Sequence, residues 1–192
     1  MSKEITVPIG VSNRHLHVNE EDLQILFGKG YQLKNKKNLK QIGQFAADEI
    51  VTIQGPKGSI EKVRILGPVR KETQVEISLT DSFKLGVKAP VMESGNLDDT
   101  AGITIIGPNG SVELQKGVLV ASRHIHMQDT MAAELGFTDN EVVKVETFGI
   151  RALVFYNVLI RVHKDFRLEM HVDMDEANAS ALKNEELVKI II

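Results

Sequence analysis

Apolar and polar positions alternate in short runs along most of the chain. Runs of β-branched or alternating residues at 5–11, 49–54, 59–66, 73–79, 103–106, 111–114, 117–122, 141–147, 152–161 and 167–173 predict strands. Two turns match in sequence, Gly55-Pro56-Lys57-Gly58 and Gly107-Pro108-Asn109-Gly110, and both predict hairpins, since Pro presets φ and Gly permits φ > 0. Helical patterning is scarce. One helix is predicted over Glu20–Phe27, with Asn19 as N-cap, acidic residues in its first turn and Gly28 as its stop. A second is predicted over Asp129–Leu135, ended by Gly136, and a third over 175 to about 182. Many short strands with few helices place the chain among mainly β folds, barrels or sandwiches.

One unit of the pattern occurs twice. Ser12-Asn13-Arg14-His15-Leu16-His17 and Ser122-Arg123-His124-Ile125-His126 each follow an apolar run and precede a helix that stops at Gly. Its recurrence points to a duplicated module. Four of the six histidines lie in these two His-x-His pairs. In a strand, residues i and i+2 share a face, so each pair aims two imidazoles at one point. Neutral imidazole suits zinc and similar divalent metals, and two ligands leave a site incomplete. Gln74, Glu76 and Ser78 share a face of one predicted strand, and Glu169, His171 and Asp173 share a face of another, although a charged strand face is usually just solvated. His163 reads as a turn residue.

Composition narrows the chemistry. The 192 residues suffice for one large domain or two small ones. A formal net charge of −3 gives no bulk attraction to nucleic acid. The basic cluster Lys34, Lys36, Lys37 and Lys40 reads as a solvated loop. The chain has no cysteine, which excludes disulfides, zinc–thiolate sites and a cysteine-borne acyl intermediate. No apolar run approaches the ~20 residues of a membrane span, and a cytoplasmic protein without membrane or nucleic-acid partners is expected. No Walker loop or Gly-x-Gly-x-x-Gly motif is present. Arg14, Arg64, Arg70 and Arg123 are the arginines near the interesting segments, and each offers a fork for phosphate or a surface ion pair.

Taken in order, several segments resemble the PduL-type phosphotransacylases (phosphate propanoyltransferases, phosphate acetyltransferases). They are Gly10-Val11-Ser12-Asn13-Arg14-His15-Leu16-His17, Gly67-Pro68-Val69-Arg70, Gln74-Val75-Glu76-Ile77-Ser78, Ser94-Gly95-Asn96-Leu97, Arg123-His124-Ile125-His126-Met127, and Arg167 to Asp173 continuing into Asp175-Glu176-Ala177-Asn178-Ala179. The resemblance covers nearly the whole chain. It implies two small β-barrels related by duplication, with short capping helices: residues 1–13 plus 122–192 in one, 14–121 in the other, and the active site in the cleft between them.

The resemblance also implies reversible transfer of a short acyl group, propanoyl or acetyl, between coenzyme A and inorganic phosphate by direct phosphate attack. Two zinc ions per chain would be held, one by His15, His17 and Glu76 and one by His124, His126 and His171. Arg70 would hold phosphate, and Ser12, Lys37, Arg64, Leu66 and Asn178 would contact coenzyme A. Leu79 and Met92 depart from the family, standing where relatives often carry Arg. The chain begins a few residues before its first strand, without the N-terminal helical extension of relatives packaged in microcompartments, which implies a free cytoplasmic enzyme; a homodimer is left open. Two other classes use the same residues: a metal-dependent hydrolase of a thioester or similar substrate, and a non-catalytic metal-binding module. Phosphate dependence of thiol release separates all three.

Overall fold

A computed structural model describes residues 4–191. The chain begins with β1 (Ile5–Ser12), β2 (His15–His17), α1 (Glu20–Phe27), β3 (Asn35–Asn38), β4 (Phe45–Gln54), β5 (Ser59–Gly67) and β6 (Gln74–Glu76). It continues through α2 (Leu79–Leu85), β7 (Val91–Met92), β8 (Ala101–Ile106), β9 (Ser111–Ala121), β10 (His124–Met127) and α3 (Asp129–Leu135). The remaining described elements are β11 (Val142–Glu146), β12 (Val154–Val162), β13 (Glu169–Asp173), α4 (Met174–Ser180) and β14 (Leu187–Ile191). None of these helices is long and apolar enough to cross a membrane.

The chain divides into two compact units, one made of the residues up to Asn13 together with those from Ser122 onward, the other of Arg14–Ala121. Each holds a closed ring of six strands. The first closes in the order β1-β13-β10-β12-β11-β14. The second closes as β9-β6-β2-β5-β4-β8, with β3 added at β4 and β7 at β9. Both rings follow one sequence of pairings: parallel, antiparallel, parallel, then antiparallel three times. The expected mainly β duplication is therefore present. The correspondence carries an exchange: β1 precedes the first His-x-His strand in sequence but closes the ring of the second, and β9 does the reverse.

The duplication extends to irregularities. Pairing between β4 and β5 shifts register between Val51 and Ile53, and Lys62 on β5 has φ of 58°. Pairing between β11 and β12 shifts between Val143 and Val145, and Asn157 on β12 has φ of 56°. Lys62 lies three residues before Ile65, the partner of Leu16, and Asn157 three before Ile160, the partner of Ile125. A bulge adds one residue to a strand. Hence Ile60 and Val63 are both buried, as are Phe155 and Val158, at a spacing of three that strict alternation forbids.

Each ring is filled by its own core. Leu16, Ile53, Ile65, Val75, Ile105 and Val118 lead in one, and Val7, Ile9, Ile125, Val145, Ile160 and Met170 in the other. The two matched turns close the β4–β5 and β8–β9 hairpins as expected. Each also finishes a helix, since Lys57 N–H donates to the Leu85 carbonyl of α2 and Asn109 N–H to the Leu26 carbonyl of α1, both at 3.0 Å. These carbonyls have no partner within their helices.

Several expectations are corrected. The run at 73–79 is strand only over Gln74–Glu76, because Ser78 caps α2 with Asp81 in a reciprocal capping box. Ser78 therefore leaves the face shared by Gln74 and Glu76. The runs at 111–114 and 117–122 form the single strand β9, and β14 adds a strand the pattern did not show. The basic cluster is not a loop throughout: Lys36 and Lys37 lie on β3, which is exposed along its length. α4 starts at Met174, where Asp173 and Glu176 form a second capping box.

The hairpin tips press against helix backbone. A Cβ on Gly55 would stand 2.3 Å from the Leu85 carbonyl oxygen, and one on Gly107 2.6 Å from that of Leu26. Gly55→Ala and Gly107→Ala should each destabilise the protein by about 1–3 kcal/mol, as overpacking does, read as a lower urea midpoint with unchanged slope.

Candidate metal centre

The register of the two rings assembles two matching clusters. On β2, Leu16 enters the core with no exposure, which turns His15 and His17 to the outer face of the ring. The antiparallel partner of His15 is Glu76 on β6, and that of His17 is Gln74. On β10, Ile125 plays the part of Leu16, His124 pairs with His171 on β13, and His126 pairs with Glu169. Directly paired residues share a sheet face. The ligand-type atoms of His15, His17 and Glu76 lie within 4.8 Å of one another, as do those of His124, His126 and His171. Either cluster can hold a metal ion.

Ring orientation is fixed from behind. His17 Nδ1 donates to the Leu66 carbonyl at 3.0 Å, and His124 Nδ1 to the Ser122 carbonyl at 2.8 Å. His171 Nε2 donates to Glu169 Oε2 at 2.7 Å. Each of these bonds holds one ring nitrogen from outside the cluster, as the second bond of a histidine ligand does. The Nδ1 of His126 is buried with no hydrogen-bond partner, an atom that a bound cation would satisfy. Its ring stacks on Phe166 with centroids 4.2 Å apart.

Electrostatics keep these groups in metal-binding form. Burial, then His15 and the Arg70 guanidinium, push His17 down from 6.5 to about 3. Burial, then His124, His171 and Arg161, push His126 down to about 2. For Glu76, burial raises the carboxyl, but the charge and hydrogen bond of His15, with His17 and Ser94, outweigh it and hold the group well below the usual carboxylate range.

A second repeated linkage ties each cluster to a helix. Arg14, just before β2, pairs with Asp81 at 2.7 Å, and Arg123, just before β10, pairs with Glu176 at 3.1 Å. Asp81 and Glu176 are the capping-box acids of α2 and α4. The N-caps Ser78 and Asp173 lie two residues beyond Glu76 and His171. Each arginine thus joins the strand bearing two cluster residues to the helix that follows the third.

The other sequence candidates fall into two groups. Arg64 pairs in register with His15, and Lys37, Ala46 and Leu66 form a row across β3, β4 and β5. Ile65 enters the core, so Arg64 and Leu66 share the outer face with His15. The Arg64 guanidinium donates to the Ala47 carbonyl at 2.6 Å. Arg70 follows β5, and its charge acts on His17. In the other unit, Ser12 ends β1 opposite Asp173, and Asn178 is exposed on α4. Leu79 opens α2 half exposed, Met92 lies on β7, and His163 is an exposed turn residue outside both clusters. Ser94 was missed as a site residue: its hydroxyl donates to Glu76 Oε1 at 2.7 Å. No local pattern reports that contact.

The lowered His17 and His126 values carry a sign. Both rings are neutral in the fold, whereas an unfolded chain takes up protons near pH 6.5 and below. The stability contributed by these two neutral rings in the metal-free protein should be fully present above about pH 6.5 and be lost progressively as pH falls toward 3. A urea midpoint that stayed constant between pH 7.5 and 5 in the presence of chelator would contradict this.

Comparison with known proteins places the chain in a family. The phosphate propanoyltransferase family profile matches residues 8–183. A phosphate propanoyltransferase of Thermotoga maritima is 57% identical over 192 residues, covering 100% of this chain and 91% of that protein. The one from Rhodopseudomonas palustris is 55% identical over 184 residues, 96% of this chain and 81% of its own length. That of Salmonella typhimurium is 49% identical over 179 residues, 93% and 85% of the two chains. With matches of this extent, the chain belongs to the phosphate propanoyltransferase family of acyltransferase enzymes.

Proposed function

We propose that this chain transfers a short acyl group, propanoyl or acetyl, reversibly between coenzyme A and inorganic phosphate, with one zinc ion in each cluster. The observation that carries the reading is the spacing of the donor atoms. Ligands of tetrahedral zinc with bonds of about 2.0–2.1 Å lie about 3.3 Å apart. His124 Nε2 and His171 Nδ1 are 3.3 Å apart, and His15 Nε2 and Glu76 Oε2 are 3.5 Å apart. Each cluster offers three protein donors, which leaves a tetrahedral ion one open position, as catalytic zinc sites do. When bound, zinc supplies Lewis acidity toward a thioester carbonyl and affinity for thiolate.

The chain's own residues supply positioning. Phosphate is anionic at neutral pH and needs placement more than a general base. Arg70, whose charge reaches His17, holds it through a guanidinium fork. The outer face that carries His15 also carries Arg64, Leu66 and Lys37, which we assign to coenzyme A together with Ser12 and Asn178. A phosphate oxygen attacks the thioester carbonyl carbon, the C–S bond breaks, and coenzyme A leaves as its thiolate. No cysteine is present to form a thioester with the enzyme, and no acyl-enzyme is invoked. One methylene separates acetyl from propanoyl, worth ~1–3 kcal/mol in an apolar pocket.

Thiol release from acetyl-, propanoyl- and butanoyl-CoA should require phosphate or arsenate. Release without either anion would indicate a hydrolase, and no release with any thioester would indicate a non-catalytic metal module. His124→Ala should abolish turnover and lower bound zinc. Arg70→Ala should reduce kcat/KM for phosphate about 10–100-fold, the loss of a charged hydrogen-bond pair worth about 1.5–3 kcal/mol, while zinc content stays at the wild-type level.

A further inference from the structure

The two clusters differ in their third donor, and the residue two positions earlier differs with it. Glu76 on β6 and His171 on β13 occupy one place in the duplicated rings, opposite the first histidine of each pair. Gln74 and Glu169 occupy another, opposite the second. Both are enclosed, Gln74 at 2% and Glu169 at 7% exposure. Gln74 Nε2 donates to Glu76 Oε1 at 2.6 Å, whereas Glu169 Oε2 accepts from His171 Nε2 at 2.7 Å. A carboxylate only accepts and an imidazole turned this way donates, so the neighbouring side chain has the opposite hydrogen-bonding sense in each repeat.

We propose that Gln74 and Glu169 are matched positioning residues, each fixing which single atom of the adjacent third donor is presented to the metal ion of its cluster. The inference rests on the zinc reading above. Gln74 cannot turn over freely, because its Oε1 accepts from Gly95 N–H at 2.8 Å, which leaves its Nε2 facing Glu76 and Ser94. Ser94 adds a second donor to the same Glu76 Oε1. With that oxygen doubly bonded, Oε2, the atom facing His15, is the one presented, and Glu76 binds through one oxygen. In the other unit, Glu169 holds His171 by Nε2 and turns Nδ1 toward His124.

The charge balance follows the same exchange. One cluster has its carboxylate as a direct donor. The other has three imidazoles and keeps its carboxylate one hydrogen bond farther out, on Glu169, where it orients the His171 ring. The longer relay needs room, and Gly10 provides it: Gly10 is the register partner of His171. A Cβ there would stand 2.8 Å from both Glu169 Cδ and His171 Cδ2. In the other ring the register partner of Glu76 is Leu119, which is fully buried.

Chelator titration of the zinc-loaded holoenzyme, read as zinc released per chain, tests the assignment. The wild type should hold two zinc ions. Glu169→Gln, which keeps the shape and removes the charge, should release one of them at about 10–100-fold lower chelator, the usual cost of losing such a partner, and the other as in wild type. Gln74→Leu should loosen only the opposite ion, and Gly10→Ala should loosen the same ion as Glu169→Gln. In cobalt-substituted protein each variant should alter the visible bands of one site. Unchanged release in Glu169→Gln and Gln74→Leu, with two ions in wild type, would overturn the inference. So would loss of both ions together with a matching fall in metal-free stability, which marks a purely structural role. A wild type that never holds two zinc ions would overturn the underlying zinc reading instead.

Discussion

Two imidazoles on one strand converge on a metal only if the residue between them is locked in place. Leu16 and Ile125 meet that condition. Each is fully buried between neighbours in its ring, and each fixes the rotation of a strand only three or four residues long. A slip of one residue would turn the histidines inward and the aliphatic side chain outward. The pairing of His15 with Glu76 and of His124 with His171 descends from the same register. Donor geometry is thus a by-product of core packing: the interior of each barrel sets what its outer face can bind.

The duplication is deeper in backbone and linkage than in side-chain identity. The order and sense of pairing agree around both rings, and so do the bulges at Lys62 and Asn157 and the ties from Arg14 and Arg123 to capping-box acids. What has diverged is the chemistry on that frame, Glu76 against His171, Gln74 against Glu169, Leu119 against Gly10. These changes are mutually dependent. An imidazole in place of a carboxylate requires an acceptor in place of a donor, and the larger pair requires a glycine across the strand.

Much of this was legible in the chain. Period-two alternation marked most strands, and the Arg-His-x-His repeat marked the donor pairs, because those signals are local. Glu76 and His171 were placed on strand faces by alternation, but a charged strand face is ordinarily solvated, and only the resemblance singled them out. Contacts made by ring closure left no local trace. Ser94 reaches Glu76 across 18 residues and Asp81 reaches Arg14 across 67, and no local period reports either contact. The segment after Glu76 misled for another reason: Ile77 to Thr80 is rich in strand formers, yet the reciprocal bonds between Ser78 and Asp81 start a helix. The bulges hid the shifted burial at Ile60 and Val63, since an inserted residue breaks the period on which strand reading depends.

The exchange of first strands has a consequence for how the chain acquires its shape. During synthesis the segment Arg14–Ala121 emerges complete, with every strand of its ring present, so it can fold before the rest exists. β1 emerges earlier than all of it and yet has nothing to pair with. Its partners are β13 and β14, the last two described strands. Both of its edges are therefore covered by strands from the far end of the chain. An intervening segment that is already a folded barrel rather than a flexible loop lowers the entropy that this closure must overcome. The ring that carries the His124 cluster on β10 and β13 closes only through β1, a strand that precedes the whole of the other unit in the chain.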